Sequence, residues 1–418
     1  FSGAFDAGVS ANLIGNTVST NVKGLYLGLF LILAAASVAE YRWPERSKVL
    51  YGSCWLLTTA CVCLRFGQGT DYASYQAIYE TIPAVIDLSK GYICGFYPEI
   101  GWRLLCGAFK AAGLPFQVMV TVLGLAEMLL LHRFLNRFVR WKTAGLFLSF
   151  PVLIYVYLIS GLRQGLAMCV LLGIALPFLV EKRWIPYVIS VLLAASFHKV
   201  GSSWLILVPV SFLPMWSMEV LTGLSIAGGL ILQAGPVKQL IVYLLPIYHV
   251  KQFLLEGSPS LFAAGERLIS FAVLMALYLY QKKKEETDDV TEHLMKVYLC
   301  GVCFYMLMVG NAYYASRYAV VFKIVECVLA VRMLELHGKM ERAAALFFLC
   351  LTLLMGVKNM NASIGEGGYA RDQVNVLTFP YVSVFDRDRI NEYYDYNAKV
   401  KKLYDYNIED QQLWMIEE

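Results

Sequence analysis

Apolar runs of roughly 15 to 20 residues follow one another along the chain, each close to the length a helix needs to cross a hydrocarbon core. They cover Gly24–Ala39, Val49–Leu64, Pro115–Leu135, Thr143–Ile159, Leu162–Val180, Trp184–Phe197, Gly201–Leu213, Val220–Ala234, Phe262–Tyr280, Leu294–Ala312, Tyr314–Val331 and Ala343–Val357. The pattern predicts an all-α polytopic membrane protein with about twelve spans, because only helices and closed barrels satisfy their backbone in lipid and the barrel alternation is missing. Glu99–Ala112 is apolar but short, and carries Arg103 and Lys110, so it reads as a re-entrant or interfacial helix.

The polar links fix which ends face together. Arg42, Arg46 and Lys48, then Arg133 to Lys142, then Glu181 to Arg183, then Lys282 to Lys284, then Arg332 to Arg342 recur at alternate ends of the runs. The positive-inside rule makes these ends cytoplasmic. Two outer loops are expected at 67–98 and 235–261, and the chain divides into a membrane domain, 1–357, and an exterior tail, 358–418, rich in acids and tyrosine. Composition agrees: 58% of the 418 residues are hydrophobic and 16% charged, against about 25% charged in soluble domains. The net charge of +4 says little about partners and gives no nucleic-acid footprint. Most of the ten cysteines lie inside apolar runs as small packing residues. Cys300 and Cys303 form a CxxC without a second pair or histidines at zinc spacing, so no metal or other cofactor is expected.

Charges are sparse, so each one near a span is a candidate site. Arg163 follows the Ser160-Gly161 break and sits beside Gln164 in the first turn of a helix, where backbone donors and an arginine suit an anion. Arg317 stands in the same way near the start of an inward-running helix. Two such arginines on one side suit a diphosphate; the alternative is a pair of interfacial arginines that snorkel. On a helix, Tyr72, Tyr75 and Tyr79 would share a face beside Asp71 and Glu80, which suits sugars, or an interfacial aromatic belt. His198, also at an outer end, is a general base, a diphosphate ligand or a satisfied imidazole, and its ordinary pKa near 6.5 allows the first role. His249, in the second outer loop, is a further candidate.

Several short motifs occur in a fixed order: G-x-DY-x-x-Y-x-x-x-Y at Gly69–Tyr79, LRQGLA at Leu162–Ala167, FH at Phe197–His198, SRY at Ser316–Tyr318 and FPY at Phe379–Tyr381. Together they resemble the EpsG-like branch of the Wzy polysaccharide polymerases. The resemblance implies a bacterial inner-membrane glycosyltransferase of GT-C-like architecture. Such an enzyme joins repeat units carried on undecaprenyl diphosphate at the periplasmic face, with Arg163 and Arg317 matching the family's substrate-binding arginines. It also implies the bilayer and an undecaprenyl-diphosphate oligosaccharide as partners, with a chain-length regulator and a flippase as further ones. In the mechanism expected, arginines hold the leaving diphosphate while His198 or Asp71 takes the acceptor proton. Ligase-like transfer of glycan to another lipid, and transport of lipid-linked sugars without bond chemistry, are the alternative functions. No repeat relates the two halves and the polar residues lie at the outer end rather than the middle, which favours an enzyme over a transporter.

Overall fold

The computed structural model describes residues 23–82, 99–244, 253–255, 257–334, 338–367, 369 and 374–416, and their regular structure is helical. In chain order the helices used below are α1 Leu25–Arg42, α2 Ser47–Leu64, α3 Tyr72–Thr81, α4 Ile100–Ala111, α5 Phe116–Phe138, α6 Lys142–Leu158 and α7 Leu162–Val180. After these come α8 Trp184–Phe197, α9 Leu207–Ser211, α10 Met215–Ile231, α11 Gly235–Leu244, α12 Leu261–Lys283 and α13 Asp289–Leu307. The last four are α14 Ala312–Lys323, α15 Glu326–Leu334, α16 Lys339–Glu366 and α17 Tyr396–Ile416.

Six helices among the described residues are long and apolar enough to cross a membrane, or up to seven if the bent pair α10 and α11 is one span. The chain is therefore an integral membrane protein. The expected count of about twelve is not confirmed among the described residues, and the reason is local. The run Tyr314–Val331 is broken into α14 and α15, Gly201–Leu213 is divided between a 3-10 segment, Lys199–Ile206, and the short α9, and α6 and α8 are short. Residues 235–244, expected in a loop, form α11, turned by 96° from α10. Side chains such as Leu56, Ile185, Leu224 and Leu346 stay exposed on the helix surfaces, as a lipid-facing surface requires.

Lipid is as apolar as leucine, so helices must gain by close approach. Gly229 of α10 does this: a Cβ there would fall 2.0 Å from the carbonyl oxygen of Met306 on α13. Polar groups also join elements. Glu40, at the end of α1, accepts from the backbone N–H of Thr143 at 3.0 Å and so caps the start of α6. The second half of α6, Phe150–Leu158, has the wider turns of a π-helix, and the carbonyls left at its end are taken by Arg65. This fully buried arginine donates from Nε to Ile159 O at 3.0 Å and from Nη2 to Leu158 O at 2.7 Å.

The basic links gather at one end of the bundle. There Arg137 at the end of α5 pairs with Glu181 at 3.0 Å, Arg332 donates to the Phe138 carbonyl at 2.6 Å, and Lys282 and Lys283 close α12. Arg163, at the start of α7, lies at the opposite end.

The expected boundary between 357 and 358 falls inside α16, so the tail is not a separate appendage. It folds back over the segment after α2. Phe66 N–H donates to Val382 O at 2.9 Å, Val384 N–H to Leu64 O at 2.9 Å, and Tyr394 Oη–H to Gly67 O at 2.5 Å, while α17 packs on α3. The FPY residues belong to this clasp: Phe379 O accepts from Gly24 N–H at 2.9 Å, and Tyr381 donates to Cys61 O at 3.1 Å.

Candidate active site

The breaks that carry Asp71, Arg163, His198 and Arg317 open into one cavity of about 900 Å³. It is lined from the start of α3 by Asp71 and Tyr75, from the α6–α7 break by Tyr157, Ser160, Arg163 and Gln164, and from the α8 end by His198 and Lys199. Glu99 precedes α4, Tyr313 and Arg317 come from the first turns of α14, and Lys358 and Glu366 from the last turns of α16. A second, apolar cavity of about 520 Å³, reached by Tyr41, Trp141 and Arg342, lies at the basic end and holds none of these groups.

Asp71 is placed by its neighbours. Gly69 has φ +106, a conformation that favours glycine, and a Cβ there would fall 2.8 Å from Ser160 Cα. The loop can thus lie on the α6–α7 break, where Thr70 Oγ1 and Ser160 Oγ are 2.7 Å apart and Asp71 N–H points at Ser160 Oγ at 3.4 Å. The carboxylate itself is exposed to the cavity.

Arg163 does not stand free at its helix N-terminus. Its Nη1 donates to Glu99 Oε2 at 2.7 Å, and both side chains are largely buried. The other Glu99 oxygen accepts from Lys199 N–H at 3.3 Å, so the carboxylate bridges two breaks. Gln164 donates to the backbone carbonyl of Arg317 at 3.2 Å and thereby ties α7 to α14. Arg317 lies over Tyr313, its guanidinium carbon 4.0 Å from the ring centre.

His198 lies between α8 and the 3-10 segment. Burial, aided by Arg163, pushes its pKa down to about 4. Its Nδ1 accepts from Val200 N–H at 3.3 Å, so the neutral ring carries its proton on Nε2. That tautomer offers the cavity a donor, which suits the ligand role expected of His198 better than the general-base one.

The tyrosine face is corrected. Tyr72 and Tyr79 are buried against Phe116; Tyr72 donates to Gln117, and Tyr79 donates to Leu114 O at 2.6 Å. Their hydroxyls are spent inside the protein, and only Tyr75 of the three reaches the cavity. Glu80 is exposed outside it and accepts from Gln76 at 2.8 Å. His249 lies outside the described residues.

Sequence reasoning missed Glu99 and Lys358. Glu99 is a single acid ahead of a short helix, with nothing local to mark its partner 64 positions away. Lys358 read as the first residue of a tail, because the hydropathy falls before the helix ends.

The fold and cavity define a polytopic membrane protein with a polar, charge-lined site at the end of its helices opposite the basic links. The chain belongs to the EpsG family, whose model matches residues 48–397. This is a family of Wzy-like polysaccharide-polymerase-related membrane proteins, so the function is polymerase-like and concerns polysaccharide synthesis in a membrane. No curated protein and no solved structure matches the chain.

Proposed function

We propose that the cavity joins lipid-linked oligosaccharides, with undecaprenyl diphosphate as the donor's carrier and the periplasmic face of the inner membrane as the location. The observation that carries this reading is the convergence of Asp71, His198, Arg163 and Arg317 from four separate chain breaks in one cavity. A hydroxyl oxygen of the acceptor attacks the anomeric carbon of the donor sugar, and the bond from that carbon to the diphosphate oxygen breaks. The diphosphate leaves with the electron pair. Asp71, the exposed carboxylate of the site, takes the hydroxyl proton, and positive charge beside the diphosphate offsets its growing negative charge. His198 donates from Nε2 to a sugar or phosphate oxygen. The lipid tail remains in the bilayer between helices, which suits a chain whose polar cavity opens among its spans.

The test is direct. Purified protein in proteoliposomes, given lipid-diphosphate oligosaccharide, is expected to produce a ladder of longer glycans. Lipid moved across the membrane with no ladder would overturn the reading in favour of a flippase.

A further inference from the structure

The two arginines of the cavity differ in one respect that matters for an anion. Arg163 is neutralised by Glu99 at 2.7 Å inside a largely buried pair. Arg317 makes no salt bridge among the described residues. Its guanidinium carbon lies 4.0 Å from the centre of the Tyr313 ring, a contact that stabilises the cation without neutralising it.

Lys358 is the second cation of this kind. It rises from the last turns of α16 into the same cavity, with Nζ 4.8 Å from the Phe262 ring centre and no salt bridge among the described residues. A lysine this far along a membrane helix is costly unless something anionic or aqueous meets it. The acid whose charge acts on it is already engaged: Glu266 pairs with Lys323 and lies 3.6 Å from Arg267. Both of those cations, with Glu266, are within electrostatic reach of Lys358. Glu266, shared between Lys323 and Arg267, therefore does not supply a counter-charge to Lys358 alone.

Resting on the reading of the cavity proposed above, we infer that Lys358 and Arg317, on α16 and α14, hold the donor's diphosphate between them, and that Glu99 withholds Arg163 from it. Arg163 is then a positioning residue that, through Glu99, keeps α7 and α4 in register with the break at Lys199. A diphosphate suits the pair because its charge is spread over two phosphates, one for the guanidinium edge and one for the ammonium. The shared chemistry, a diphosphate, could come from a lipid or from solution.

The experiment is calorimetric titration of the purified full chain in detergent with geranylgeranyl diphosphate, geranylgeraniol and inorganic pyrophosphate. Wild type is expected to bind the lipid diphosphate and not the alcohol, with pyrophosphate much weaker; equal binding of pyrophosphate would overturn the lipid source. Lys358→Met and Arg317→Gln are each expected to weaken binding about tenfold to a hundredfold, the scale of a charge-assisted hydrogen bond. Lys358→Arg should stay close to wild type. In the Lys358→Met background, adding Glu99→Gln frees Arg163 and is expected to recover part of the affinity. Melting temperatures confirm that each variant is folded. Wild type that binds no diphosphate would overturn the proposed function itself. Wild type that binds, with Lys358→Met unchanged or Arg163→Gln as damaging as Arg317→Gln, would overturn this inference alone.

Discussion

Arg163 Nη1 and Glu99 Oε2 are 2.7 Å apart, with 12% and 7% of their side chains exposed. Removing one partner strands the other charge. Arg163→Ala is expected to lower stability by about 3 to 5 kcal/mol, because an uncompensated buried charge is costly. Arg163→Met combined with Glu99→Leu should recover most of the loss, since neither charge is then buried. Thermal unfolding in detergent of the two single variants and the pair measures this. A pair as unstable as the worse single variant would mean that the contact does not carry the effect. Arg163→Lys, able to keep one contact with Glu99, should fall between wild type and alanine.

His198 gives the site a pH signature. Its folded pKa, about 4, lies below the ordinary value because burial and Arg163 oppose its charge. Between about 4 and roughly 6.5 the unfolded chain binds a proton at this residue that the folded chain does not. Its contribution to stability is therefore whole above roughly 6.5 and is lost as the pH falls towards about 4. Melting temperature should drop more steeply with acid in wild type than in His198→Gln. The pH–rate profile should show no inflection near 6.5 from this group; one that vanished in His198→Gln would contradict the assignment.

Tyr72 and Tyr79 act in packing. Tyr79→Phe should leave product length unchanged and cost about 1 kcal/mol of stability, the net value of one hydrogen bond. Tyr75→Ala, at the cavity wall, should change activity instead. Shorter glycan from Tyr79→Phe at normal stability would restore the sugar-binding face.

Gly69 holds Asp71 in place through a backbone that other residues rarely adopt. Gly69→Ala must move the loop off Ser160, and polymerisation should fall about a hundredfold or more, on the scale of losing one general base. Asp71→Asn should fall as far without any change in melting temperature. Full activity in Asp71→Asn would remove Asp71 from the proton transfer.

The two ends of the helices should face opposite compartments. In a background with native cysteines replaced, Asn397→Cys is expected to react with a membrane-impermeant maleimide added outside, and Lys283→Cys to be protected. The reverse pattern would invert the map.

Much of this protein is determined by local pattern. Long apolar runs with few charges define the membrane helices, because a backbone in lipid must satisfy itself. The alternation of basic links then sorts Arg163, His198 and Arg317 to one end, which requires only the parity of the runs. Other features depend on which residues meet in space. The pairing of Glu99 with Arg163 joins positions far apart in the chain, and no spacing rule can announce it. Whether a tyrosine on a helix faces sugar or core is decided by what packs against it: α5 and α17 cover Tyr72, and Phe116 covers Tyr79. The reach of α16 past Lys358 was hidden because its last turns are polar, so hydropathy falls while the helix continues into the cavity wall. Composition and period decide that a segment is a helix in a membrane. The assignment of each charge to a partner, to an open site or to the lipid surface is made by the packing, because the energy of a buried charge depends on neighbours that only the fold supplies.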